Sequence, residues 1–133
     1  MSAPVREDSS ITMGTLLGTC HCGTVVIGVS RMPRQLTDCN CSICRRYGAL
    51  WAYYTRTSVK IAAAAKAIDI YSWGHKNLQF CRCAGCGCVT HHQRVNIRPD
   101  SRYGINARMF DAEVIASLRI RHLDGAASWK YLD

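Results

Sequence analysis

The sequence predicts a mostly β fold, two small antiparallel sheets packed together with one short helix. Three observations carry that expectation: β-branched runs of strand length, turn residues between them, and a single convincing helical stretch. The first 13 residues are polar and patternless and read as a tail, leaving 14–133 as one domain. "TVVIGVS" (24–30) is strand-like, and "LWAYYT" (50–55) and "SVKIA" (58–62) follow, parted by Arg56 and Thr57. "AIDIYSW" (67–73) alternates Ile68, Ile70 and Ser72 with Asp69, Tyr71 and Trp73 before a turn at Gly74. "NLQFCR" (77–82), "CVTHHQ" (88–93) and "VNIR" (95–98) continue the series until Pro99-Asp100 breaks it. "AAAAKA" (62–67) favours helix but is too short to stand alone, so at most one loose turn is expected. "DAEVIASL" (111–118) is the expected helix: Asp111 can cap it, Glu113 suits its positive end, and Val114, Ile115 and Leu118 can face a core. "RIRHLDG" (119–125) then returns to strand and turns at Asp124-Gly125.

A chain of 133 residues supports one modest core, and domains of this size often add metals or disulfides. No stretch approaches the roughly 20 apolar residues of a membrane span, and the N-terminus lacks a signal-peptide pattern. A cytoplasmic, reducing compartment is therefore expected, where clustered cysteines mean metal or catalysis more often than disulfides. Nine cysteines, an odd number, also disfavour a fully paired framework. The formal charge of +8 counts every cysteine as neutral. Binding of two divalent ions by seven thiolates would lower it to about +5. The basic residues are scattered from Arg6 to Lys130, which reads as a solvated surface and not as a nucleic-acid stripe.

The cysteines fall into three groups: Cys20/Cys22, Cys39/Cys41/Cys44 and Cys81/Cys83/Cys86/Cys88. In C-x-C on extended chain, side chains two apart leave the same face and can bite one ion. C-x-x-C curls a turn around the ion instead, and Gly85 and Gly87 in "CAGCG" give that turn its freedom. One pair is half a zinc site, so Cys20, Cys22, Cys83 and Cys86 make a whole one, closed and structural. Cys39, Cys41 and Cys44 leave a vacancy in a tetrahedral shell, the pattern of a zinc that works on a substrate. A second closed site, completed by Cys81, Cys88 or a histidine, is the alternative. Arg45 and Arg46 could offset the charge of an incoming thiolate, or serve only as surface charge. Cys81 and Cys88 are expected to be buried thiols.

These residues resemble the glutathione-dependent formaldehyde-activating enzyme family, which includes centromere protein V. The resemblance runs from about Gly18 to Gly125. It rests on "GTCHCGTV" (18–25), "CNCSICRRYG" (39–48), "YSWG" (71–74), "CAGCGCVTH" (83–91) and "GINARMFD" (104–111). It implies a zinc β fold with two zinc ions per chain, Cys20, Cys22, Cys83 and Cys86 holding the structural one and Cys39, Cys41 and Cys44 the catalytic one. It also implies carbon–sulfur lyase chemistry, glutathione and formaldehyde in equilibrium with S-hydroxymethylglutathione, with glutathione or another small thiol as partner. A histidine would move the proton; His91 is the first candidate, and His92, its strand neighbour, must point the other way. Asn106 and Arg108, two apart, could reach a substrate carboxylate, and Trp51 and Tyr53 could form a pocket wall or simply core. A non-enzymatic zinc module for protein or nucleic acid is the competing reading, and a thiol redox or metal-buffering protein a third.

Overall fold

The computed structural model describes residues 16–74 and 76–133; the expected tail, 1–13, lies outside them. The chain folds into two β-sheets, as the strand series predicts. The smaller has three antiparallel strands in the order β1 (Leu16–Thr19), β2 (Val26–Val29) and β5 (Val59–Ala62). The larger has seven, ordered β10 (Ile120–Leu123), β3 (Leu36–Cys39), β4 (Trp51–Thr55), β9 (Arg102–Asn106), β8 (Val89–Arg94), β7 (Leu78–Cys83) and β6 (Ile68–Tyr71). Its pairs are antiparallel except β10 with β3, which run parallel, a crossover that strand patterning cannot foretell.

The expected helix is present as α2 (Ala112–Ala116), preceded by Asp111, whose side chain makes no capping hydrogen bond. Val114, Ile115 and Leu118 pack on the main core as its pattern requires. A further short helix, α1 (Cys44–Tyr47), follows the second cysteine group. The polyalanine stretch supplies only one 3-10 turn, Ala65–Ala67. The expected strand at 95–98 does not form. Arg94 pairs with Leu78, the first residue of β7, and Val95 adds one last hydrogen bond to Asn77 O at 2.9 Å, after which the chain runs exposed toward Pro99.

Strand alternation divides the larger sheet into two chemically distinct faces. Ala52 and Tyr54 of β4 point into the main core with Ile27, Val29, Leu36 and Ile105, between the sheets. Trp51 and Tyr53 point the other way, toward Cys39, Cys44 and Phe80. A β-bulge extends this second face. Cys81 pairs with His91 but Arg82 with Val89, so Thr90 is the extra residue. Val89 and His92, three apart, therefore share the face of Phe80, while Cys81 and His91 lie on the reverse.

Candidate metal centres and their cavity

Seven cysteines gather into two clusters. The Sγ atoms of Cys20, Cys22, Cys83 and Cys86 lie within 4.8 Å of one another, and so do those of Cys39, Cys41 and Cys44. In the first, Cys22 Sγ is 3.7 Å from Cys20 Sγ and 3.5 Å from Cys83 Sγ. Four sulfurs at zinc–sulfur bond length around a tetrahedral ion stand about 3.8 Å apart, so this spacing fits zinc. All nine cysteines are free thiols.

Local backbone explains the first cluster. Cys20 and Cys22 sit in the β1–β2 hairpin loop, closed by the Gly23 N–H on Cys20 O at 3.1 Å. The C-x-C bite comes from a tight turn here, not from the extended chain expected of it, and Gly23 at φ 83° makes that turn possible. Cys83 and Cys86 follow the glycine-assisted turn the sequence predicts: Gly87, at φ 80°, donates to Cys83 O, and the Cys86 N–H points at Cys83 Sγ at 3.5 Å. Burial pushes the Cys20 thiol up to about 12, the chief obstacle to its ionisation without a cation. Burial also opposes ionisation of Cys86, but hydrogen bonds from the backbone of Cys88 and Cys22 and from the side chains of Cys83 and Cys88 together outweigh it and bring that thiol to about 6. Cys88, partly buried, is no member of either cluster, and neither is Cys81, fully buried on the reverse face.

The second cluster is built where β3 ends and α1 begins. Cys44 donates its backbone N–H to Cys41 Sγ at 3.4 Å, and α1 stops at Gly48, which takes φ 65° and donates to Cys44 O. The Trp51 indole N–H points at Cys44 Sγ at 3.4 Å. Cys39, next to Cys44, is lowered to about 6, mainly by the hydrogen bond from the Cys44 thiol; Cys44 is raised by the same bond and by burial. One proton shared by two close sulfurs is the arrangement a cation would displace. Gly125 comes so close that a Cβ there would collide with Cys39 Sγ.

The three sulfurs form part of the wall of a cavity of about 680 Å³. Trp51, Tyr53, Trp73, Phe80, His92 and Trp129 add to it with Leu78 and Leu123, and Ser42 and Asn77 are the uncharged polar residues beside them. The His92 ring packs edge-on to Trp51, centroids 4.6 Å apart, and its buried Nδ1 has no hydrogen-bond partner among the described residues. Burial lowers its pKa to about 4, helped by the positive charge of Arg102, so His92 is neutral at pH 7. Gly104 on β9 makes room for this ring: a Cβ there would strike it.

The sequence-derived candidates thus separate. Cys39, Cys41 and Cys44 come together at this cavity. His91, the first histidine candidate, does not join them; it faces a different cavity beside Cys81 and Tyr103, with Nδ1 2.8 Å from Thr90 Oγ1. His92 lines the cavity instead, and strand parity after the Thr90 bulge separates the two. Arg45, Arg46, Asn106 and Arg108 do not line the cavity. Arg45 is exposed on α1, and Arg46 Nη1 bonds Ser42 O at 2.7 Å. Asn106 is spent on backbone, accepting from Leu50 and Arg108 N–H groups and donating to Val89 O at 2.8 Å. Arg108 Nε donates to Gly48 O at 2.6 Å. These two pin β9 to the α1–β4 connection, so they shape the site from behind. Trp73 and Trp129 reach the cavity from a turn and from the C-terminal loop, which only the tertiary fold brings near.

No helix among the described residues is long and apolar enough to cross a membrane. The fold is similar to the crystal structure of a Rhodobacter sphaeroides protein, with a TM-score of 0.65 and 29% sequence identity. That likeness covers 79% of this chain and 99% of the other. The family model described as glutathione-dependent formaldehyde-activating enzyme matches residues 15–120, and with most of the chain so covered the protein belongs to that family.

Proposed function

We propose that the protein is a zinc-dependent carbon–sulfur lyase acting on a thiol–aldehyde adduct of the S-hydroxymethylglutathione kind. The observation that carries this reading is a group of three sulfurs in the wall of a roomy cavity that also holds a neutral histidine. Cys20, Cys22, Cys83 and Cys86 hold one ion for structure; Cys39, Cys41 and Cys44 hold the other for catalysis. When bound, zinc supplies a Lewis acid that favours a thiolate over a thiol at neutral pH. In the breakdown direction the adduct's hydroxyl gives its proton to His92, the carbon–oxygen double bond forms, and the carbon–sulfur bond breaks with its electron pair passing to sulfur. The proton then returns to the medium or to the departing thiolate. His92 is suited to this: it lines the cavity and is uncharged at pH 7, so it is free to accept a proton. A reducing cytoplasm is the compartment that would keep seven thiolates available.

The test is magnetisation exchange between formaldehyde and a thiol, followed by NMR with zinc-loaded protein. Cys41→Ser is expected to abolish the acceleration while keeping the fold, and His92→Asn to lower it by about 100-fold. Exchange no faster than in buffer would defeat the reading.

A further inference from the structure

All three tryptophans of the chain, Trp51, Trp73 and Trp129, line the cavity that opens on Cys39, Cys41 and Cys44. Tyr53, Phe80 and Leu123 add to its apolar wall. Among the described residues lining it there is no arginine, lysine, aspartate or glutamate. The chain as a whole holds 17 lysines and arginines and 9 acidic residues, so this wall departs from the rest of the surface.

The rim gives an independent observation. Trp73 and Trp129 are 45% and 68% exposed, against 1% for Trp51. Trp129 also takes φ 60°, a left-handed conformation that a bulky side chain rarely adopts. It is held there by its N–H on Asp124 O at 2.7 Å, while the Asp124 carboxylate accepts from Asn40 and Ser128. The loop thus spends backbone strain to keep an uncovered indole at the mouth, and covering that indole with an apolar group would recover hydrophobic free energy.

Glutathione brings two carboxylates and an ammonium. Against these walls its two carboxylates would lose water and gain no cationic side chain in return. An aryl or branched alkyl group meets no such penalty and can stack on the indoles. We infer that the preferred adduct is that of an apolar thiol, carrying an aryl or branched alkyl group, and not that of a charged peptide thiol. This rests on the reading above that the thiol sulfur sits at Cys39, Cys41 and Cys44.

Because every tryptophan lines this cavity, intrinsic fluorescence of the zinc-loaded full chain reports its occupancy. Titration with 2-phenylethanethiol and with glutathione should give the aryl thiol a Kd at least about tenfold lower. Trp73→Ala, at an exposed site, should weaken 2-phenylethanethiol about threefold or more and weaken glutathione by clearly less. Equal or tighter binding of glutathione, or no binding by either thiol, overturns the inference. Formaldehyde exchange measured with both thiols separates the two readings. Acceleration that favours glutathione sinks this inference and leaves the lyase standing. Tight aryl-thiol binding without acceleration of any exchange sinks the lyase and leaves the ligand class standing.

Discussion

One glycine and two histidines show how much depends on single residues. Gly125 lies against Cys39 Sγ, so Gly125→Ala must push that sulfur away. The expected result is at least tenfold weaker metal binding at the three-cysteine cluster with the four-cysteine cluster unaffected, measured by competition with a chromogenic chelator. His91 and His92 are both lowered to about 4 by burial, His91 further by its neighbour and His92 by Arg102. In the unfolded chain each would titrate near 6.5. Between those values the unfolded state binds protons that the folded state refuses, so stability is present above pH 6.5 and is lost as pH falls toward 4. Denaturant unfolding between pH 7 and 5 should show this slope, and His91→Gln should reduce it by up to one proton. An unchanged slope would mean His91 is not held neutral. The sequence offers both histidines beside the cysteine motif, His91 first, yet pointing direction is not a property of the motif.

At the scale of elements, α1 and the β8 bulge do most to set the site. α1 is only four residues long and ends on Gly48 in a left-handed conformation with open space around it. Gly48→Ala therefore meets no neighbour and carries only the backbone penalty, about 1 kcal/mol, visible as a small drop in denaturation midpoint. The bulge at Thr90 was not legible, because it is a mismatch between two strands and neither strand alone contains it. The same holds for β3 and β9. "LTDC" and "RYGIN" have weak strand patterns of their own and are ordered by neighbours, β3 lying between β10 and β4, β9 between β4 and β8. β9 even needs Gly104, a residue poor in strand propensity, to admit the His92 ring.

For the whole molecule, the two clusters have different mechanical positions. The four-cysteine cluster joins the β1–β2 loop of the smaller sheet to the β7–β8 turn of the larger, so its ion would staple sheet to sheet. The three-cysteine cluster joins only β3 to the helix just after it. Elemental analysis should find about two zinc ions per chain, falling to about one in both Cys20→Ser and Cys41→Ser. Stability should divide them: Cys20→Ser is expected to lower Tm by more than about 10 °C, Cys41→Ser by only a few degrees. Equal losses would show that the staple is not where the geometry puts it.

The sequence alone determined the class of fold, the partition of seven cysteines into four and three, and the helix at Asp111. Each depends on spacing along the chain: strand alternation, turn residues and ligand spacing are local rules with local signals. Only the tertiary structure decided which histidine meets the cysteines, that Arg45, Arg46, Asn106 and Arg108 stay out of the cavity, and that three distant tryptophans enclose it. Those outcomes turn on a bulge, a parallel crossover and the return of the C-terminal loop, which are relations between segments and leave no mark within any one of them.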